Sequence, residues 1–218
     1  MQSLPSCHLV TTGFDAAAST VQELDCFGLS SSGRSTKRQA EFLAGRLCAA
    51  ASLQAAGYPA IILQRDAESG RPVWPQGLCG SITHSHGMAV SIAGFSQQWH
   101  SLGLDLERMI APARALRLQK AILTPHEQAQ LKGLDEEALA RQTTLLFSAK
   151  ESLFKALNPL TGVYFGFQDA QVSEYTQDGR LTLQLQRDLS DSYHSGMEFP
   201  CLWIPYGHGM LTLVYLAA

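Results

Sequence analysis

Segments of helical period and segments of strand period are mixed along this chain without strict alternation. That pattern predicts an α+β fold rather than a doubly wound parallel sheet. Two observations carry the prediction. Residues 36–56 and 136–157 repeat apolar side chains at helical spacing, whereas 102–107 and 180–186 alternate apolar and polar residues with a period of two. At 218 residues, 45% hydrophobic and 16% charged, the chain can bury a sizeable core without covalent staples.

Taken in order, the first thirty residues read as irregular and lead into a small-residue loop over 28–35. Thr36, with Gln39 three residues on, supplies a capping box for the first helix. Phe42, Leu43, Leu47, Ala50 and Leu53 form its apolar stripe, and Gly57 is its stop. Pro59 to Gln64 reads as a strand. Two short strands, GSITH and MAVSIAG, then flank a turn at Ser85-His86-Gly87. In LGLDLE, residues 102–107, Leu102, Leu104 and Leu106 share one face, and Asp105 and Glu107 share the other. Arg114 to Leu123 is a short basic amphipathic helix. Thr124-Pro125-His126-Glu127 opens the next one with a cap, an N1 proline and an N3 acid. A longer helix spans about Glu136 to Leu157 and ends at Asn158-Pro159. Leu181, Leu183 and Leu185 alternate with Thr182, Gln184 and Gln186, and Gly209 to Leu216 forms a last strand.

The formal charge of −3 excludes a nucleic-acid binder that works through a broad basic field. Cys7, Cys26, Cys48, Cys79 and Cys201 are odd in number, form no CxxC pair, and fit reduced thiols of a cytosolic protein. The longest uncharged run, near Leu47 to Leu63, is interrupted by Gln54, Gly57 and Pro59, so it reads as helix then strand rather than a membrane span. The first basic residue is Arg34, and the opening MQSLPSCHLV lacks the charged start of a signal peptide. A cytoplasmic protein with neither a membrane nor a nucleic-acid partner is the expectation.

Several groups could carry chemistry. Asp105 and Glu107, at i and i+2 of a strand, project from one face, and close unpaired anions ask for a cation. Their hard oxygens suit Mg²⁺ or Mn²⁺. The same D-x-E pattern also describes the solvated face of an ordinary strand. In FSAKESLFKAL, residues 147–157, Ser148, Glu151 and Lys155 lie on one helical stripe. There Glu151 and Lys155 read as a surface ion pair, or Glu151 serves a metal or a proton while Lys150 and Lys155 meet phosphate charge. Ser152-x-x-Lys155 also matches the S-x-x-K pattern of serine acyl-enzymes, although its companions S-D-N and K-T-G are absent. His84 and His86 sit beside a tight turn where an imidazole could meet an anion, and a zinc site with Cys79 would lack its second ligand pair. Arg34, Lys37, Arg38 and Arg46 surround the first helix and Arg71 follows in GRPVWP. Arg34 and Arg38 can grip one phosphate or simply be solvated helix charges.

In this order, RQAEFLAGRL at 38–47, GRPVWPQGLCGSITHS at 70–85, LGLDLE at 102–107 and FSAKESLFKA at 147–156 resemble the 4′-phosphopantetheinyl transferase family, particularly its surfactin-synthetase and enterobactin-associated branch. The resemblance covers about residues 34–170, and the G-x-D-x-E and F-S-x-K-E-S-x-x-K motifs, about forty residues apart, are highly specific. It implies Mg²⁺-dependent transfer of the phosphopantetheine arm of coenzyme A to a serine of an apo acyl or peptidyl carrier protein, releasing adenosine 3′,5′-bisphosphate. By resemblance, Asp105, Glu107 and Glu151 hold the metal, with Mn²⁺ as its substitute. Glu151 is the base, directly or through a metal-bound water, and Lys155 serves the departing phosphate. Lys150, Lys155, Thr83, His84, Arg38, Arg46 and Arg71 are the implied coenzyme A contacts, Thr83 standing where the family usually has Ser. Glu127 matches a recurrent acid near the site, although its helix-cap role suffices to explain it.

The implied fold is a pseudo-two-fold pair of similar α+β halves, 1–101 and 102–218, in a monomer with the active site in the cleft between them. Arg114, Arg117 and Lys120 present a basic face to an acidic carrier helix, or are an ordinary exposed face. A serine acyl-hydrolase using Ser152 and Lys155, and a non-catalytic coenzyme A-binding module, are the rival readings.

Overall fold

The computed structural model describes residues 4–15, 26–29, 35–176 and 178–218. Arg34 and most of the small-residue loop before the first helix lie outside the described residues. Helices and strands are mixed as the α+β expectation requires, and they fall into two compact units that part between His100 and Ser101.

In the N-terminal unit, β1 (Cys7–Gly13), β2 (Leu78–Ser85) and β3 (Met88–Phe95) form an antiparallel sheet in the order β1-β3-β2. The expectation of an irregular start is corrected by β1, whose CHLVTTG sequence pairs along the whole of β3. The hairpin between β2 and β3 turns on His86 and Gly87, with φ of 47° and 79°. Positive φ at both central residues gives the twist that a two-residue hairpin needs. Helix α1 (Thr36–Ala55) packs on this sheet through small residues. A Cβ at Gly45 would sit 2.9 Å from the Ile82 side chain.

The cap of α1 is Ser35, whose Oγ accepts from the Arg38 N–H at 3.5 Å, so the cap lies one residue before the expected Thr36. Leu47, placed in the apolar stripe by the sequence, is exposed, whereas Leu43, Ala50 and Leu53 are buried. Residues 59–64 make no strand. They fold back so that only Arg65 and Pro72 bridge, and Pro72 has no N–H with which to extend a ladder.

In the C-terminal unit, β4 (Trp99–Arg108, its first two residues in the other unit) edges a five-stranded sheet. Its order is β4-β8-β7-β6-β5, with β5 (Ala170–Tyr175), β6 (Arg180–Leu185), β7 (Glu198–Tyr206) and β8 (Gly209–Ala217). The strands β5 and β7 add to those expected. Helix α2 (Pro112–Ile122) leads to the short α3 (Pro125–Gln130), which carries the expected Thr124–Glu127 capping box. Helix α4 (Glu136–Thr161) runs across the sheet, and its Leu153 and Leu157 join Leu183, Phe199 and Val214 in the main core. Pro159 does not end α4 as expected. The helix absorbs the lost backbone donor in its last turn and stops at Gly162, which is left-handed at φ 67°. Among the described residues no helix is long and apolar enough to cross a membrane.

Candidate active site

The site grows from β4 and α4. On β4, Gly103, Asp105 and Glu107 alternate toward one face, and α4 lies against it. Gly103 is what permits the approach. A Cβ there would collide with the Ser152 carbonyl and stand 2.6 Å from the Ala156 nitrogen. Ser101, two residues earlier, donates to the Ala156 carbonyl at 2.7 Å.

With the helix this close, Asp105 is only 3% exposed, and it is not on the solvated face that the alternation alone allowed. Its Oδ1 accepts from Lys155 Nζ at 2.7 Å and its Oδ2 from Ser148 Oγ at 2.8 Å. Lys155 also donates to the Leu104 carbonyl at 3.1 Å. Behind Ser148 lies a chain of buried hydroxyls, with Thr212 Oγ1 at 2.9 Å and Ser152 Oγ a further 2.7 Å on. Because the carboxylate only accepts, Ser148 must spend its proton on Asp105.

Glu107 and Glu151 complete the cluster. Burial pushes the Glu107 carboxyl up to about 7, aided by the charges of Asp105 and Glu151 and opposed by Lys155 and Arg114. Glu151 is raised for the same reasons, burial first and Asp105 next, against Lys155. Three acids thus share one lysine. Among the described residues, no three His, Cys, Asp or Glu side chains have their donors gathered to grip a metal ion. The donor chemistry nevertheless fits a hard divalent cation. Ionising Glu107 and Glu151 is opposed by burial and by neighbouring acids, which a cation would relieve, and an ammonium already sits on Asp105.

Beside Glu151 is a cavity of about 180 Å³ lined by Lys150, Glu151, Phe154 and the 164–167 segment. Its walls are braced by ring contacts of Phe154 with Tyr164 and Phe165, at 5.5 and 5.3 Å between centroids. Lys150 does not offer its ammonium to this space. Its Nζ is buried, donating to Glu127 Oε2 at 2.6 Å and to the carbonyls of Ile122 at 2.9 Å and Phe167 at 3.0 Å. All three of its ammonium hydrogens are engaged by these acceptors. Glu127 keeps its cap role and adds this ion pair, a partnership no local spacing announced.

Ser152 is fully buried with its hydroxyl held by Thr212, and Lys155 points to Asp105. Among the described residues, Ser152 Oγ is bonded to Thr212 and not to Lys155. Gly103, Ser148 and Thr212 are the site residues to which the sequence reading gave no role. Gly103 left a signal as a gap in the strand's side chains and Ser148 as a member of the Glu151–Lys155 stripe, whereas Thr212 left none.

In the N-terminal unit, Glu41 of α1 is buried and gathers basic groups. Arg38 Nη1 lies at 2.9 Å, Lys37 Nζ at 3.9 Å and His84 Nδ1 at 3.9 Å. The Arg38 side chain is 67% exposed. Arg46 is buried with its guanidinium 4.8 Å over the Phe42 ring, and Arg71 is half-buried and near the charge of Asp66. Thr83 and His84 are consecutive in β2 and so point to opposite faces of the sheet.

Residues 32–94 match the family profile described as the 4′-phosphopantetheinyl transferase N-terminal domain, and residues 101–201 match that of the 4′-phosphopantetheinyl transferase superfamily. The enterobactin synthase component D of Salmonella austin is 34% identical over 191 residues, which is 85% of this chain and 74% of the relative. The 4′-phosphopantetheinyl transferases Npt of Nocardia iowensis and PptT of Mycobacterium tuberculosis are 33% and 37% identical over 144 and 139 residues. Those alignments take in 66% and 63% of this chain, but only 62% and 59% of those relatives' lengths. The chain belongs to the 4′-phosphopantetheinyl transferase superfamily.

Proposed function

We propose that this chain transfers the 4′-phosphopantetheine arm of coenzyme A to a serine hydroxyl of an apo acyl or peptidyl carrier protein. The observation that carries the reading is the cluster of buried Asp105 with half-buried Glu107, Glu151 and Lys155 in a chain of this superfamily. In the reaction the carrier serine oxygen bonds to the phosphorus that bears the arm. The bond from that phosphorus to the bridging pyrophosphate oxygen breaks, and its electron pair leaves with adenosine 3′,5′-bisphosphate. Glu151 takes the serine proton, directly or through a water. Lys155 offsets or protonates the charge arriving on the leaving phosphate. Asp105, Glu107 and Glu151 would hold Mg²⁺, or Mn²⁺ in its place, and the metal, when bound, supplies withdrawal of charge from the phosphoryl oxygens.

The coenzyme A phosphates fall to Arg38, Arg46, Arg71, Thr83 and His84, an assignment supported by resemblance and by the anion-gripping geometry of guanidinium. The exposed Arg114, Arg117 and Lys120 of α2 suit an acidic carrier helix, where complementary charge speeds encounter. Both matched family regions lie in one chain, which supports a monomer, and the proposed setting is the cytoplasm.

The test mixes the protein with coenzyme A, Mg²⁺ and an apo carrier and weighs the carrier. A gain of one phosphopantetheine arm, abolished by a chelator, is expected. No gain across several carriers, or a gain indifferent to chelation, would overturn the reading.

A further inference from the structure

Among the fully buried side chains of the described residues Lys150 is the largest, and its side chain is 1% exposed. Its counter-ion Glu127 is equally enclosed. Glu127 Oε2 also accepts from the Thr124 N–H at 2.8 Å, while Oε1 accepts from the Val172 N–H at 2.8 Å. One ion pair therefore ties together α4, α3, the end of α2 at Ile122, the 3-10 turn at Phe167 and strand β5. Such a pair is poor value as a stabiliser, because desolvating both ions offsets most of their attraction. What an apolar pair of the same volume could not do is bond the Phe167 carbonyl to α4. That carbonyl belongs to the wall of the cavity whose other side is Glu151, the next residue along the helix.

We infer that Lys150 and Glu127 are positioning residues: the buried pair fixes the 164–167 wall against the face of α4 that carries Glu151, and it binds no phosphate of coenzyme A. This rests on the transferase reading only for its effect on rate. The geometric part stands without it.

The test compares Lys150→Met with the double variant Lys150→Met/Glu127→Gln in the full chain. The single variant strands a buried carboxylate and should lower the melting temperature by about 10 °C. The double variant removes that lone charge and should recover part of the loss, since the Gln amide keeps only one of the two acceptor oxygens. Amide hydrogen exchange of residues 165–168 should nonetheless run at least about tenfold faster in the double variant than in the wild type, with β6, β7 and β8 unchanged. Its kcat for transfer should stay about 10- to 100-fold down while KM for coenzyme A moves less than about threefold.

Unchanged exchange at 165–168 would overturn the inference whether or not the wild type transfers anything. A kcat that returns with the melting temperature would mean the pair only stabilises. A tenfold rise in KM for coenzyme A with kcat retained would mean that the ammonium meets phosphate. A wild type without transfer would defeat the transferase reading and leave the exchange result to judge the wall.

Discussion

The acid-bearing face of β4 and the base-bearing start of α1 are organised in opposite ways. On β4, Asp105 is held by both oxygens, to Lys155 and Ser148, and a hydroxyl chain backs it. On α1 the buried member is a single acid, Glu41, and the cations around it, Lys37 and Arg38, are 67% exposed on long side chains. Under the proposed transferase function the difference is one of task. Proton transfer and cation binding lose rate when a carboxylate shifts by an ångström, so those groups are built into packed elements. Gripping phosphate needs charge within reach and tolerates a mobile arm.

The contrast is broken most severely at its rigid end. Asp105→Ala and Glu151→Ala should each lower the transfer rate at least about 100-fold, measured by carrier mass at fixed time. A loss under tenfold for either would remove that residue from the machinery. Gly103→Ala should prise α4 from β4, dropping the melting temperature and, with it, transfer; a variant as stable as wild type would show that the close approach is dispensable. Ser148→Ala leaves the acids in place but frees Asp105 Oδ2. The Mg²⁺ concentration that half-saturates thermal stabilisation should rise about tenfold.

The flexible end should respond less. Arg38→Ala is expected to raise KM for coenzyme A by a few fold, about 1 kcal/mol of lost phosphate attraction, with kcat nearly intact. A large fall in kcat instead would erase the distinction between the two regions. Smallest of all, Ser152→Ala should cost about 1 kcal/mol of stability for its buried hydrogen bond and little rate.

What could be read from the sequence follows the same division. Spacing alone puts Asp105 and Glu107 on one face of a strand and Glu151 with Lys155 on one stripe of a helix. The fold class and most helix limits follow equally from periodicity. Burial did not follow. Alternation in LGLDLE looks the same whether its polar face meets water or a helix, and only the contact at Gly103 decides it. Lys150 reads locally as a surface cation, because its partner Glu127 lies 23 residues away on another helix. The strand β7 was hidden by Pro200 and Pro205, which argue against a strand by rule yet sit within its pairing here. Pro159 misled in the other direction, since one missing donor near a helix end is cheaply borne.

The bond from the Val172 N–H to Glu127 has a consequence for the protein in crowded solution. Strand β5 is the outer rim of its sheet, where unpaired amides invite another polypeptide to add itself as the next strand. The fully buried Glu127 carboxylate takes the place at Val172 that a further strand's carbonyl would need, so the sheet is closed to growth at that amide.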